Sequence, residues 1–336
     1  MKKLLVVLLA LVTVAAFGAV NFSGRLDVTP RLTYKASTGA MASSVTVGGL
    51  FNIKASNEDE TTGFYVLIGP SFTTAATTVT TPSGTTTALT SASWTWSYWG
   101  YVWQKIYTSE SFTVTLQAGN LERGWLDATG ANFSWIIVPP NFDMYDDGAA
   151  VGLEFDIKSG DLSDSLSVFV KPDATRIINV DVYNSLSFGF LSTGILVQDL
   201  LSATTGLPAF GLSASVDLAK ALGIEGATLK GFGYFEINPA AAPILTSYLI
   251  GANVGVEKLS ASVVFDDTNA LGIAVKTTAL APVTVGADVV IPNVTSITNF
   301  RLAGYASWTT GLIGHRLSLA WDGLLATVAW RLRATF

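Results

Sequence analysis

The stretch SLAWDGLLATVAWRLRATF, residues 318–336, carries an alternation of apolar and polar residues that decides the fold. Apolar side chains occupy every second position: Ala326, Val328, Trp330, Leu332, Ala334 and Phe336. Small, hydroxylated or charged residues lie between them: Thr327, Ala329, Arg331, Arg333 and Thr335. Successive side chains of a strand point to opposite faces, so this segment predicts a β-strand with one apolar face. A strand of about 9–11 tilted residues is long enough to cross a bilayer.

The segment just before this strand predicts a hairpin. Asp322-Gly323 is a preferred two-residue turn of type I′, and it follows an apolar alternation that ends at Trp321. Such a turn pairs Trp321 with Leu324, which places the apolar residues of both strands on the same face. The turn and the alternation therefore agree.

The composition fits a membrane barrel. The chain is 49% hydrophobic and only 13% charged, yet no run of about 18 apolar residues follows the N-terminal segment. A β-barrel reconciles these facts, because each strand offers one face to lipid while no segment is uniformly apolar. Two lysines, an apolar run and Ala16-Phe17-Gly18 open the chain, which predicts a cleaved signal peptide over residues 1–18.

The remaining chain, residues 19–336, is predicted to form a single all-β domain, an antiparallel transmembrane barrel of 16–18 strands. The alternation of the last strand recurs over 21–35, where Pro30 is tolerable only at an edge or irregularity. The least certain segment is 176–193, which is read as two strands joined at Tyr183-Asn184-Ser185 or as one strand. The other predicted strands are 45–55, 63–72, 94–105, 112–119, 149–158, 165–171, 209–219, 227–237, 246–256, 259–266, 271–277, 283–291, 299–308 and 314–321.

The connections alternate between short and long. Turns such as EK and TALAP are expected at the end of the barrel that carries the termini. Long loops are predicted at the other end, near 73–93, 120–148 and 194–208. Short turns on one side and long loops on the other are typical of outer-membrane barrels.

These features together resemble the bacterial outer-membrane porins. The resemblance rests on the N-terminal segment, the alternation throughout the chain and the terminal VAWRLRATF ending in Phe336. It implies a water-filled barrel in the cell outer membrane that allows passive diffusion of small hydrophilic solutes and ions. It also implies contact with membrane lipid, a homotrimer, and Phe336 as the signal that the barrel-assembly machinery recognises.

Arginines on the polar phase are the candidate pore-lining residues. Because closure places the first strand beside the last, they are expected to share one sector of the wall and to give a fixed positive field. The alternative is that they pair with Asp27, Glu154 or Asp156 in wall networks. The residues of this basic wall are Arg25, Arg31, Arg301, Arg316, Arg331 and Arg333.

Acidic residues in the predicted loop 120–148 are the candidate partners of this wall. The porin resemblance implies that a loop at this place folds into the barrel as a constriction. A solvated surface loop and a weak Ca²⁺ site are the alternatives. The constriction-loop residues are Glu122, Asp127, Asp143, Asp146 and Asp147.

Other classes of function have little support in the sequence. The chain has a net charge of −6 and no basic run beyond its N-terminus, which argues against a nucleic-acid partner. It lacks cysteine, so disulfides and thiolate metal sites are excluded. The single histidine, His315, falls on the apolar phase, and no cofactor fingerprint or metal-ligand cluster is visible, so an enzyme is not expected. The aromatic segment 94–103 is read as a membrane-interface girdle, with a stacking surface for sugars as the alternative.

A structural protein of the outer envelope is the alternative function. It would contact a sheath or surface layer and have an occluded lumen, which bulky apolar residues on the inner phase would indicate. Small inner-phase residues such as Thr46, Gly48, Ser213 and Ser215 favour the channel instead.

Overall fold

The computed structural model describes residues 19–81, 84–124, 145–172, 178–201, 208–239, 241–297 and 300–336. It contains one antiparallel sheet whose 18 strands close on themselves, which confirms the predicted all-β barrel at the upper strand count. The strands are β1 Ala19–Lys35, β2 Ala40–Ser56, β3 Thr62–Thr81, β4 Gly84–Thr108, β5 Phe112–Gly124, β6 Tyr145–Ser159, β7 Leu162–Lys171, β8 Asn179–Phe188, β9 Leu191–Gln198, β10 Ala209–Asp217, β11 Ala227–Ile237, β12 Leu245–Val256, β13 Leu259–Asp266, β14 Leu271–Thr277, β15 Thr284–Ile291, β16 Arg301–Thr310, β17 Ile313–Trp321 and β18 Leu325–Thr335.

The first and last strands close the barrel. Their register places Arg25 opposite Thr335 and Lys35 opposite Leu325. Beyond the last paired residue, the Gly24 amide donates to the Phe336 carbonyl over 2.8 Å and the Phe336 amide donates back over 3.0 Å. Closure gives every strand a neighbour on both sides, as a sheet in lipid requires, although β4 pairs with β5 only over Tyr101–Thr108.

The register gives the barrel two distinct faces. Residues directly opposite each other on neighbouring strands share a face. The apolar residues of β18 and the residues opposite them on each successive strand therefore lie on one face of the barrel. We call this the outer face. Its large side chains are widely exposed, as at Phe22, Trp96 and Leu319. The opposite set, which includes Asp27 and Arg333, forms the inner face.

The connections at the end of the barrel that carries the termini are mostly short, as expected. The chain termini share one end with the two-residue β12–β13 turn at 257–258 and the β14–β15 turn at 278–283. A one-turn helix, α1 (Leu218–Ala221), connects β10 to β11 at this end. Among the described residues, no helix is long and apolar enough to cross a membrane.

The predicted loops are shorter than expected because the strands continue into them. Most of 73–93 belongs to β3 and β4, since a Thr-rich tract is β-branched and extends a hairpin readily. The predicted loop 120–148 loses its first five and last four residues to β5 and β6. Residues 194–198 belong to β9. The polar residues of these three stretches suggested loops, but in the structure many of them form the ends of strands.

The turn predicted within 176–193 lies at a different residue in the structure. The segment 176–193 does form two strands, but they meet at Gly189, whose φ of +56° favours glycine, and not at Tyr183-Asn184-Ser185. Asn184 stays within β8, where its amide donates to the Asp164 carboxylate over 2.7 Å. A turn-forming residue is accommodated in a strand when its side chain finds a partner.

The last hairpin is shifted by two residues from the prediction. Trp321 lies opposite Ala326, and the Asp322 carboxylate accepts from the Leu324 and Leu325 amides. A shift of two preserves the facing of every side chain, so the predicted apolar face is correct. Pro30 lies at an irregularity as expected, because the β1–β18 pairing is interrupted between Val28 and Arg31.

Glycines on the inner face provide seats for aromatic rings. Phe169 lies against Gly152, Phe232 against Gly251 and Tyr305 against Gly286, each pair directly opposite on neighbouring strands. A Cβ at any of these glycines would clash with the facing ring. The rings therefore lie along the wall, where they cover backbone and project less into the lumen.

These seats predict an asymmetric response to adding a methyl group. Gly251→Ala forces Phe232 off its seat and should lower the unfolding free energy by about 1–3 kcal/mol, the usual cost of overpacking. Gly231→Ala is the matched control, because that outer-face glycine has open space beside it. The stability of both variants is measured as the urea concentration at which half of the protein loses the heat-modifiable gel band of the folded barrel. Equal midpoints would contradict the seating role.

Candidate functional site: the inner wall and its arginine cluster

Charge is sorted onto the inner face of the barrel. The basic side chains on this face are Arg25, Arg31, Lys35, Lys54, Lys105, Lys158, Lys171, Lys230, Lys276, Arg301, Arg316, Arg331 and Arg333. The described acidic side chains on it form a shorter list: Asp27, Glu154, Asp156, Asp181, Asp217, Glu236, Asp266 and Asp288. The described wall is thus net basic, although the whole chain carries a charge of −6.

All six arginines singled out in the sequence lie on the inner face of adjacent strands, but they lie at different heights. Four of them gather with one carboxylate near the terminal end, and we call Arg25, Asp27, Arg316, Arg331 and Arg333 the arginine cluster.

The other two arginines lie outside the cluster. Arg31 is opposite Ala329, two residues along β18 from Arg331. Arg301 begins β16 at the loop end. Six residues separate it from Ser307, the partner of Arg316, which is roughly 20 Å along the strand.

Asp27 holds two of the arginines in place. The Arg333 Nε and Nη2 atoms donate to the two carboxylate oxygens of Asp27 over 2.6 and 2.8 Å. The Arg25 Nε atom lies 3.5 Å from the same carboxylate. The paired geometry of Arg333 is the strong, directional form of this contact. One of the wall networks expected from the sequence therefore exists.

Arg316 is held by stacking. Its guanidinium carbon lies 3.8 Å from the centre of the Tyr305 ring, which itself rests on Gly286. Its direct partner across the strands is Arg331, a like charge that electrostatics disfavours at this position. The Nε and Nη2 atoms of Arg316 are covered from solvent and make no hydrogen bond among the described residues.

Glu154 and Asp156 do not join the cluster. Both lie on β6, which five strands separate from β18 along the shorter way round the ring. Glu154 accepts from the Gln117 amide and from the Ser165 hydroxyl at 3.3 Å. These carboxylates therefore lie in a separate sector of the wall, together with Lys105 and Lys158.

The predicted constriction residues are dispersed. Glu122 lies opposite Asp147, and Asp146 lies opposite Arg123, all within β5 and β6. The strand pattern thus continues where a loop was expected. Asp127 and Asp143 lie outside the described residues, so the constriction by this loop stays a prediction.

An ion-pair network around one buried carboxylate near the loop end was missed by sequence reasoning. The Lys171 Nζ atom lies 2.9 Å from the Asp181 carboxylate and 3.1 Å from that of Asp199. Asn179 donates to Asp199 over 2.9 Å, and Asp181 is fully buried. No spacing in the sequence signals this network, because its members come from different strands and only the register unites them.

The aromatic segment of β4 divides between the two faces. Trp94, Trp96 and Tyr98 point outward and are widely exposed, as a girdle requires. Trp99 and Tyr101 point inward.

The inward rings form a small aromatic group on the wall. Tyr65 packs against them, with ring centres 5.2 Å from Trp99 and 5.9 Å from Tyr101. Its hydroxyl donates to Asn52 over 3.0 Å. The inward rings cannot belong to an outer girdle, so the girdle stays a prediction for the outer set alone.

Several bulky apolar side chains also face inward. They lie toward the loop end and are buried, which narrows the space available to water at that level. The small inner residues noted in the sequence do face inward, so both kinds of side chain line the wall. The bulky members are Leu121, Phe169, Leu196, Phe232, Tyr234, Leu249, Val264 and Val290.

His315 lies on the outer face, as predicted. Its ring stacks between Trp308 and Trp330, with ring centres 5.2 and 6.0 Å away. Within the described ranges, no group of three or more His, Cys, Asp or Glu side chains is arranged to hold a metal. This part of the chain gives no support for a catalytic centre.

Comparison with solved structures relates the barrel to porins. The structure of Pseudomonas aeruginosa OccK7 (OpdD) has a TM-score of 0.55 at 9% identity and covers 95% of this chain and 99% of its own. Pseudomonas aeruginosa OprD gives 0.52 at 10% identity over 94% and 95%. A mutant of the Rh. blastica porin gives 0.50 at 13% identity over 95% and 100%.

No protein-family model and no curated protein matches the chain in sequence. At these identities the structural likeness shows the fold alone. That fold is a porin-like barrel, as the sequence resemblance implied.

The Asp27–Arg333 pair predicts energetic coupling across the seam between β1 and β18. Asp27→Asn or Arg333→Gln alone should lower the unfolding free energy by about 1.5–3 kcal/mol, the range for hydrogen bonds to charged groups. The double variant should cost less than the sum of the two, because each single change leaves the other charge without its partner. The unfolding free energies of this double-mutant cycle are obtained from the urea midpoints of the folded band on a gel. Strict additivity would contradict the pairing.

Proposed function

We propose that the chain forms a water-filled channel in the outer membrane through which small hydrophilic solutes and ions diffuse passively. The observation that carries this is the facing of the side chains. Among the residues whose side chains the structure describes, the charged side chains of the strands lie on one face of a closed ring of 18 strands, with Asp164 as the exception, and exposed apolar residues lie on the other. A barrel of 16–18 strands in lipid encloses an aqueous lumen.

The wall further supports a preference for anions. Its described basic side chains outnumber its acidic ones, and the arginine cluster lies near one mouth of the lumen. Arginine stays charged at any working pH, so the field it creates is fixed. The excess acidic residues of the chain lie largely in turns, as at Glu58, Asp59 and Glu60, where water and salt screen them.

Contact with the membrane and with assembly factors follows from the same barrel. The outer face offers its apolar residues to lipid. Phe336 lies on this face with its ring centre 6.0 Å from that of Phe51, across the closing seam. We infer that this exposed terminal ring is the signal read by the barrel-assembly machinery and that a cleaved signal peptide exports the chain. A homotrimer stays a prediction of the resemblance.

The alternative is a structural protein of the outer envelope with an occluded lumen. The bulky inward residues near the loop end favour it, because an apolar constriction can exclude water. Two of them, Phe169 and Phe232, pack against glycines of the neighbouring strands, which draws their rings toward the wall. This seating tilts the balance toward an open channel.

Single-channel recording in a planar bilayer tests the proposal. The purified protein should give uniform open steps, and in a salt gradient the reversal potential should have the sign of anion preference. Arg316→Gln combined with Arg331→Gln should move that potential toward cations. Lys258→Gln removes one charge in a turn outside the wall and should leave it unchanged.

Two results would overturn the proposal in different ways. Protein that is folded by its heat-shifted gel mobility but gives no conductance would favour the occluded structural protein. Conductance with cation preference in the unmodified protein would retain the channel and reject the arginines as its selectivity determinant.

A further inference from the structure

The arginine cluster borders a cavity on the inner wall between β15 and β18. The cavity measures about 260 Å³. A water molecule occupies about 30 Å³ of liquid, so the cavity has room for an anion larger than chloride. Its lining residues with polar side chains are, on the inner phase, Arg316, Arg331, Arg333, Thr284, Ser307 and Thr309, and on the outer phase His315.

The register explains how these side chains converge. Ser307 lies opposite Arg316, and Arg316 lies opposite Arg331, so one row across three strands presents a hydroxyl and two guanidiniums. The next row toward the terminal end places Thr309 opposite Gly314 and Gly314 opposite Arg333. Gly314 has no side chain, which leaves the space between Thr309 and Arg333 open.

The charge balance of this cavity calls for an anion. Neighbouring strands lie about 4.8 Å apart, so the directly opposed Arg316 and Arg331 repel each other. Two carboxylates are near: Asp27, which is bound by Arg333, and Asp288, which interacts electrostatically with Arg316 from β15. The single Asp27 carboxylate pairs with both Arg333 and Arg25. The guanidinium groups at the cavity therefore outnumber the carboxylates.

Arg316 supplies the most specific evidence for a ligand. Its Nε and Nη2 atoms are covered by protein and lack a hydrogen-bond acceptor among the described residues. Its guanidinium plane is fixed by the Tyr305 ring, which rests on Gly286. A guanidinium that is fixed in place and whose covered donors have no acceptor is left as an uncompensated charge, which favours an anion in the adjoining cavity.

We propose that this cavity is a binding site for a tetrahedral oxyanion, phosphate or sulfate, free or as part of a small solute. Guanidinium forks and hydroxyls suit several oxygens arranged around one centre, whereas chloride offers a single acceptor atom. The site rests on the proposed channel only for the route by which the anion arrives. It would retain the anion briefly at the wall, which makes the lumen more than a uniform filter.

Calorimetric titration of the full-length protein in detergent with inorganic phosphate tests the site without requiring conductance. The experiment is run at constant ionic strength with chloride as the background anion. We expect saturable phosphate binding, competition by sulfate and no competition by acetate. Arg316→Gln should weaken phosphate binding about tenfold or more, the scale of a lost charged hydrogen bond. Arg316→Lys retains the charge without the guanidinium fork, and its phosphate affinity should lie between those of the unmodified protein and Arg316→Gln.

Arg301→Gln is the matched control, because it removes the same charge from the same inner wall at the far end of β16. Its phosphate affinity should stay within about twofold of the unmodified protein, since exposed charges that far apart are largely screened by salt. An equal loss in Arg301→Gln and Arg316→Gln would reject a discrete site in favour of a diffuse field.

The outcomes separate this site from the channel itself. Absence of phosphate binding above the chloride background would overturn the site, even if the protein conducts ions. Binding that depends on Arg316 in a protein that shows no conductance would support the site and reject the channel.

Discussion

The structure depends on one constraint, which is that every strand must pair on both sides when the sheet lies in lipid. An unpaired backbone group in hydrocarbon costs several kcal/mol, so the sheet must close on itself. Closure through β1 and β18 then fixes the register round the whole ring. Because facing alternates with a period of two, a closed ring with one register sorts every side chain to lipid or lumen.

This sorting explains how a chain of low charge content acquires a strongly charged interior. Few charged residues are available, and most of the basic ones fall on the inner phase of a strand. Their number on the wall exceeds what the carboxylates nearby can neutralise. Asp27 illustrates the shortage, because one carboxylate serves both Arg333 and Arg25. A residual positive field along the lumen is the consequence, and the proposed anion preference and oxyanion site both arise from it.

Packing within the wall depends on contacts between neighbouring strands. In the stack formed by Gly286, Tyr305 and Arg316, three adjacent strands contribute a seat, a ring and a cation. The seat must be glycine because a Cβ would meet the ring. The cation gains attraction from the ring face and a fixed orientation. Position and charge at this point are therefore set by cross-strand geometry and not by local sequence.

Sequence periodicity was sufficient for the parts of the barrel in which one face is clearly apolar. The strands at Leu259–Asp266 and Leu271–Thr277 have the predicted bounds, and the register places the six arginines on the inner phase of their strands. It failed where both faces are polar. The Thr-rich tract within 73–93 was read as a loop because its strands lack an apolar phase.

Long-range pairing lies beyond a single-sequence reading. Lys171, Asp181 and Asp199 meet only after three strands have aligned, and the Arg316–Arg331 opposition depends on the shift at the last turn. A turn longer or shorter by one residue would have moved every side chain of β18 to the other face relative to β17.

The central claim is that register alone assigns the side chains of β18 to lipid or to lumen. A cysteine scan along residues 326–335 tests it most directly, since the natural chain has no cysteine to interfere. A water-soluble thiol reagent is applied to single-cysteine variants of the protein reconstituted in liposomes. The account predicts labelling at 327, 331 and 333 and protection at 326, 328, 330 and 332, whereas Ala329 faces inward but is covered by its neighbours and should label poorly. Labelling of the second set, or uniform labelling without a period of two, would contradict it.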